Sequence, residues 1–247
     1  MNSGPTFHFV TLFPQTIEVW FSTSILGRAL SAGLYHFQTY QLRDYATDKH
    51  KVVDDTPYGG GGGMVLKVEP LVSAVEHIKS QIGSASTKVI LFSPRGKSLN
   101  QKLLVEFRPL EGQHFILICG HYEGVDQRFI DGWVDMEISL GDFVMTGGEI
   151  PAIAFADALT RTVRGALGNS EATQKESFVL TDPISGCVLL EYPQYTRPFN
   201  FRNMCVPGVL ISGNHEQIAK WRHEQAICKT AGSRPDLLKP LLSPEEH

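Results

Sequence analysis

Residues 140–151 read L-G-D-F-V-M-T-G-G-E-I-P. The stretch follows a strand-like segment, residues 134–139, and runs into a long amphipathic pattern that predicts a helix over 152–164. Gly141, Gly147 and Gly148 punctuate a turn that also holds Asp142, Thr146 and Glu149. Glycine permits positive φ and lets backbone come close to a ligand. Two readings compete at this point. One is an ordinary loop before a helix, with Pro151 in the first turn. The other is a small-molecule pocket walled by backbone.

Working outward, two neighbouring segments repeat the arrangement. A β-branched strand at 88–92, K-V-I-L-F, ends in S-P-R-G at 93–96, and a buried strand at 114–119, H-F-I-L-I-C, ends in G-H-Y-E-G at 120–124. Earlier, residues 7–13 read as a buried strand and residues 16–30 carry helical spacing at Ile17, Trp20, Phe21, Ile25 and Leu26. Residues 35–42 suit a second strand, 70–79 and 100–107 suit helices, and 125–130 suits one or two helical turns. Alternating strands and helices predict an α/β fold, a parallel sheet flanked by helices. In such a sheet the carboxyl ends of the strands share one edge, where ligands bind. Three glycine-bearing turns at that edge favour the pocket.

Composition fits a soluble, cytoplasmic chain. The 247 residues are 42% hydrophobic and 19% charged, with a net charge of −4. That balance does not advertise nucleic-acid binding unless positive charge is local. It is local: between residues 197 and 239 seven Lys or Arg face three acids, leaving +4. Cys119, Cys187, Cys205 and Cys228 lack C-x-x-C spacing, which argues against a zinc site or disulfide framework and for reduced thiols. The first residues lack the pattern of a signal peptide, and no run approaches a membrane span.

Residues 165–185 are polar, small and weakly periodic, as expected of a mobile linker or lid. Residues 215–228 predict an amphipathic helix with Ile218, Ala219, Trp221, Ala226 and Ile227 as its apolar stripe, followed by a turn at 230–235 and a short helix at 236–242. The run D-D-T-P-Y-G-G-G-G-G-M, residues 54–64, is a loop, because glycine costs about 0.5–1 kcal/mol against alanine inside helix or strand. It matches neither a phosphate loop nor a dinucleotide fingerprint, but it exposes backbone amides. Asp157 and Arg161 share a helix face, which suits a plain ion pair. The linker acids Glu171 and Glu176 suit either solvated surface or a base that engages when substrate arrives.

These motifs, with E-S-F, Y-P-Q-Y-T-R-P and S-G-N-H-E-Q-I-A-K-W-R downstream, occur in the order found in the bacterial tRNA (guanine-N1)-methyltransferases of the TrmD type, which the chain resembles over essentially its full length. The resemblance implies a SPOUT-type α/β domain with a deep trefoil knot over residues 1–165, a mobile linker over 166–185 and a small helical tRNA-binding domain over 186–247. It implies a cytoplasmic homodimer with a site shared across the interface, no membrane, and tRNA as partner. S-adenosyl-L-methionine would be cradled by Ser93, Pro94, Gly96, Gly120, Tyr122, Glu123, Gly124, Ile138, Leu140, Gly141, Phe143, Met145, Gly147, Gly148 and Pro151. Asp55, Tyr58, Gly59, Gly60 and Arg222 would meet the RNA substrate. Magnesium dependence is expected from the resemblance, and no metal-ligating residue is assigned.

The implied reaction is methylation at N1 of the guanosine at position 37, beside the anticodon. Arg161 matches the family's arginine, and Glu176 stands where the family has an aspartate base. Gly62 stands where proline is usual, which loosens the loop. The alternatives are a SPOUT enzyme acting on another nucleoside or a ribose 2′-hydroxyl, a non-catalytic RNA-binding module, and a nucleotide-binding regulator.

Overall fold

The structure, a computed structural model, describes residues 4–108, 110–167 and 176–238. The chain divides into two compact units, Met1–Gly168 and Asn169–His247. Among the described residues of the first unit, five strands form one parallel sheet: β1 (Thr6–Thr11), β2 (His36–Gln41), β5 (Thr87–Ser98), β6 (His114–Cys119) and β7 (Met136–Ser139), in the order β2-β1-β6-β5-β7. The remaining pair in this unit, β3 (Asp54–Asp55) and β4 (Val65–Leu66), is antiparallel.

Strand residues alternate between two faces, and both faces are covered. Phe7, Phe9, Ile90, Phe92, Phe115 and Leu117 point to the side packed by α1 (Pro14–Phe21), α2 (Ser24–Ser31), α4 (Gln101–Val105) and α6 (Glu149–Thr160). Val10, Val89, Leu91, Ile116 and Ile118 point to the side packed by α3 (Val68–Ile82) and α5 (Gln127–Trp133). A sheet buried on both faces explains why the strands read as unbroken apolar runs.

Several elements depart from the sequence expectation for local reasons. The single helix expected over 16–30 is two, broken where Ser24 takes a φ of 55°. The helix expected from residue 152 starts at Glu149, with an acid in its first turn, where the helix dipole favours it. S-P-R-G is not a simple turn after β5. Phe92 and Lys97 both pair with Ile138, so residues 93–96 loop out and the strand then resumes beside β7. A side chain at Gly96 would sit 2.6 Å from the backbone carbon of Ile138, so only glycine fits this crossing.

In the second unit, α7 (His215–Ser233) runs past the turn expected at 230–235. Thr230 is compatible with the helix because its hydroxyl donates to the Ala226 carbonyl at 2.7 Å and accepts from the Leu190 N–H at 2.9 Å. The expected apolar stripe is shallow: of its members only Ala226 is buried, and Thr230 is buried with it. From residue 176 the expected linker is hydrogen-bonded into this unit, with Phe178 N–H donating to Leu189 and Leu189 N–H donating to Leu180. A short antiparallel pair, β8 (Asn200–Phe201) and β9 (Met204–Cys205), completes it. Glu171, Lys239 and the end of the expected C-terminal helix lie outside the described residues.

At the amino end of the sheet, His8 is 4% exposed. Its Nε2 is 2.9 Å from Nδ1 of His114, and its Nδ1 is 3.2 Å from the Tyr40 hydroxyl. Burial first, then the neighbouring His114, pushes the His8 imidazole down to about 4. The unfolded chain binds this proton near 6.5, so between about 6.5 and 4 the unfolded state holds more protons and stability falls as pH falls. Urea denaturation should show a loss of about 2 kcal/mol from His8 between pH 6.5 and 5, seen as the difference from a His8→Gln variant. Parallel pH profiles for the two proteins would refute the assignment.

Candidate active site

The carboxyl ends of β5, β6 and β7 meet, as neighbours, at one edge of the sheet. Between the loop at 93–96 and the turns that follow β6 and β7 lies a cavity of about 410 Å³. Ser93, Pro94, Gly120, Tyr122, Glu123, Gly124, Ile138, Leu140, Phe143, Met145, Gly147, Gly148 and Pro151 all line it. Gly96 and Gly141 do not: Gly96 faces the backbone of β7, and Gly141 faces the ring of Phe143.

Each wall is held by a specific contact. Ser93 Oγ donates to Glu137 Oε2 at 2.7 Å, tying the looped-out segment to β7. Tyr122 has a φ of 60° and Gly124 a φ of 131°, which fold the second turn tightly. The third turn runs from the edge strand back to the centre of the sheet, where Gly148 N–H donates to the Gly120 carbonyl at 2.8 Å. A side chain at Gly148 would lie 2.7 Å from Cys119 Cα and from Gly120 N.

The sequence reading assigned no role to His121, Thr11 or Glu149, which form one hydrogen-bonded group at the cavity. His121 lines the cavity, and its Nε2 lies 2.8 and 2.9 Å from the two carboxylate oxygens of Glu149. Thr11 Oγ1 donates to Glu149 Oε1 at 2.6 Å. Burial alone would raise the Glu149 carboxyl, but the bonds from His121 and Thr11 hold it below the ordinary carboxylate value. Burial, reinforced by the nearby Glu149 charge, pushes the Cys119 thiol well up. Glu149 stood in the quoted stretch, yet nothing in a sequence marks a helix-start glutamate as buried.

The polyglycine loop is the tip of the β3–β4 hairpin. Gly59, Gly60, Gly61 and Gly63 have φ of 88°, 78°, 120° and 85°, conformations that side chains resist. The hairpin is stitched to the second turn: Glu123 N–H donates to Met64 at 3.0 Å and Leu66 N–H to Gly124 at 2.9 Å. Val65 therefore joins the cavity wall. Tyr58 is fully exposed and Asp55 is exposed on β3.

Arg161 caps the carboxyl end of α6, its N–H bonded to the Asp157 carbonyl at 3.0 Å. In the second unit, the carbonyl of Glu176 accepts from Val179 and Leu180, opening a tight turn. The Arg222 guanidinium lies 4.9 Å from the Tyr192 ring centre, in a groove shared with Tyr195, Phe199 and Ile211. The four cysteines are free. No helix among the described residues is long and apolar enough to cross a membrane.

A parallel sheet with a cavity at its carboxyl edge defines an α/β protein of the class whose ligand sites lie at strand-end turns. Residues 6–240 match the family described as tRNA (Guanine-1)-methyltransferase TrmD, and the chain belongs to that family. It is 50% identical over 232 residues to a tRNA (guanine-N(1)-)-methyltransferase of Geotalea uraniireducens, covering 94% of this chain and 90% of the relative. It is 48% identical over 239 residues to the enzyme of that name from Moorella thermoacetica, covering 96% and 92%. A Staphylococcus epidermidis relative of the same name is 47% identical over 231 residues, covering 94% and 89%.

Gly148→Ala should lower stability by about 1–3 kcal/mol in urea denaturation, because the added carbon meets backbone that cannot rotate away. Gly132→Ala, where nothing lies within 4 Å, is the control and should be neutral or slightly stabilising. Equal effects from the two variants would contradict the close approach.

Proposed function

We propose that this chain transfers a methyl group from S-adenosyl-L-methionine to N1 of the guanosine at position 37 of tRNA, next to the anticodon. The observation that carries the reading is the cavity at the junction of the three strand-end turns, in a chain belonging to the TrmD family. Its size, about 410 Å³, lies within the range of roughly 300–1,000 Å³ usual for small-molecule sites. Apolar side chains such as Leu91, Phe92, Ile130 and Ile138 suit the faces of an adenine, and the turns offer backbone polar groups to its edge.

Bound there, S-adenosyl-L-methionine supplies an electrophilic methyl group on a sulfonium. The chain's own residues do the rest. Guanine N1 is a poor nucleophile while it carries its proton, and Glu176 is the base that removes it. Negative charge then develops on O6, and the Arg161 guanidinium stabilises it. The three turns fix the donor and exclude water, so the reactants meet in line without a search. Asp55, Tyr58, Gly59 and Gly60, on the glycine hairpin, face the nucleoside. Arg222 and the local positive charge of the second unit contact the RNA backbone.

Glu176 in place of the family's aspartate keeps a carboxylate at this position and lengthens the arm by a methylene. Among the described residues no group of three His, Cys, Asp or Glu is placed to hold a metal ion.

Two architectural features belong to the same proposal. The first unit is knotted. Support comes from the re-pairing of residues 97–98 with β7 and from the return of residues 140–148 to Cys119–Gly120 on the face that α4 also covers. The enzyme works as a cytoplasmic homodimer with a shared site. Support comes from exposed apolar side chains on and beside α1, with Phe13 54%, Val19 68% and Trp20 51% accessible.

Calorimetry with S-adenosyl-L-methionine, followed by mapping of the methylated nucleotide in undermethylated tRNA, tests the whole reading. Failure to bind the donor, or methylation at another atom, would overturn it. In single-turnover assays Glu176→Gln should slow methyl transfer by about 100-fold or more. An unchanged rate would transfer the role of base to another acid, Glu171 first.

A further inference from the structure

We infer that Glu149 is a positioning residue of the donor pocket: its buried carboxylate fixes the His121 ring, and through that ring the shape of the wall formed by residues 120–124. The inference rests on the methyl-donor reading above. Glu149 is 6% exposed and does not itself line the cavity, whereas His121 does.

The carboxylate joins three elements, two of which adjoin the pocket lining. Thr11 Oγ1, at the end of β1, donates to Oε1 at 2.6 Å. His121 Nε2, in the turn after β6, is shared between Oε1 at 2.8 Å and Oε2 at 2.9 Å. Glu149 itself opens α6, directly after the third turn. Sharing one ring nitrogen between two oxygens fixes where the Nε2 edge of the imidazole sits. The ring is further wedged edge-on against Phe13, with centroids 5.3 Å apart. Residues 121 and 147 pair across an isolated antiparallel bridge, so the ring also lies over the third turn. Gly147 leaves the space this needs, because a side chain there would lie 2.6 Å from Glu149 Oε2 and against the ring of His121. The Thr11 hydroxyl serves twice, since it also accepts from the Phe13 N–H at 2.9 Å.

A buried carboxylate that merely held the fold together would affect stability and leave ligand affinity alone. One that orients a pocket wall changes donor affinity even where the protein stays folded. The test is calorimetry with S-adenosyl-L-methionine and with S-adenosyl-L-homocysteine, alongside steady-state and single-turnover kinetics on tRNA. Glu149→Gln should weaken binding of both ligands about tenfold, the worth of one charge-assisted hydrogen bond. The tRNA KM should stay unchanged, and the single-turnover rate at saturating donor should fall less than about threefold, since the reacting groups are untouched. His121→Gln should weaken donor binding similarly, and the double variant should be no weaker than either single one, because both remove the same contact. Should Glu149→Gln not fold, Thr11→Val decides, with donor binding weakened about threefold by the loss of one neutral bond.

Donor affinity unchanged in a folded variant, or additive losses in the double variant, overturns the inference and leaves the methyltransferase reading intact. A parent protein that binds neither ligand removes the donor reading, and this inference with it.

Discussion

The backbone contact between Gly148 and the Cys119–Gly120 peptide is what the rest of the first unit depends on. It brings the chain back from the edge strand β7 to the centre of the sheet and starts α6 there. Without it the third turn would have no fixed end, and the cavity would lack one of its walls. The contact needs two things at once: a glycine on the arriving chain, and a strand that ends in glycine on the receiving side. A similar crossing at Gly96, against Ile138, lets residues 93–96 loop away from β7 and form the opposite wall. Both crossings are backbone against backbone. They are rigid for that reason, as peptide planes cannot yield as flexible side chains can.

Around these crossings the core is apolar, and the buried Thr11, Ser139 and Glu149 side chains beside the site are hydrogen-bonded. Glu149 is placed where a carboxylate costs least: in the first turn of a helix, with a hydroxyl and an imidazole as partners. At the other end of the sheet His8 is buried against the half-buried His114, and burial lowers both imidazoles, which suits neutral pH and disfavours acid. The two ends of the sheet thus use buried polar groups differently. One end fixes a pocket, and the other sets a lower pH limit on the fold.

The glycine hairpin illustrates how tertiary structure gives a loop its meaning. Its residues occupy positive φ at four glycines, and its return strand is bonded to the 120–126 segment. That stitching carries a surface loop to the cavity, so an exposed tip and a hydrogen-bonded base belong to one element. In the second unit the Arg222–Tyr192 pair shows the same economy. A cation held over an aromatic face keeps its charge available to solvent while its orientation is set.

Much of this was legible in the sequence. Apolar runs at 88–92 and 114–119 named two central strands, and the glycines that follow them named the edge where the cavity lies. The ordered motifs named the family. What a sequence cannot report is a relation between residues distant along the chain. Nothing in K-V-I-L-F-S-P-R-G shows that Phe92 and Lys97 share one partner, since that depends on where β7 lies. Nothing in G-G-E-I-P shows a carboxylate buried against Thr11, 138 positions earlier. Periodicity overran the break at Ser22–Thr23 and stopped α7 short at residue 228, because helix ends are set by capping and packing partners that periodicity does not contain. The sequence by itself determined the five strands of the main sheet, the main helices around them and the turns that carry glycine, because those follow from local side-chain chemistry, while the two-residue strands β3, β4, β8 and β9 were not legible in it. Only the tertiary structure decided which glycines touch backbone, which acid is buried and which loop reaches the cavity, because those follow from contacts made after the chain has closed upon itself.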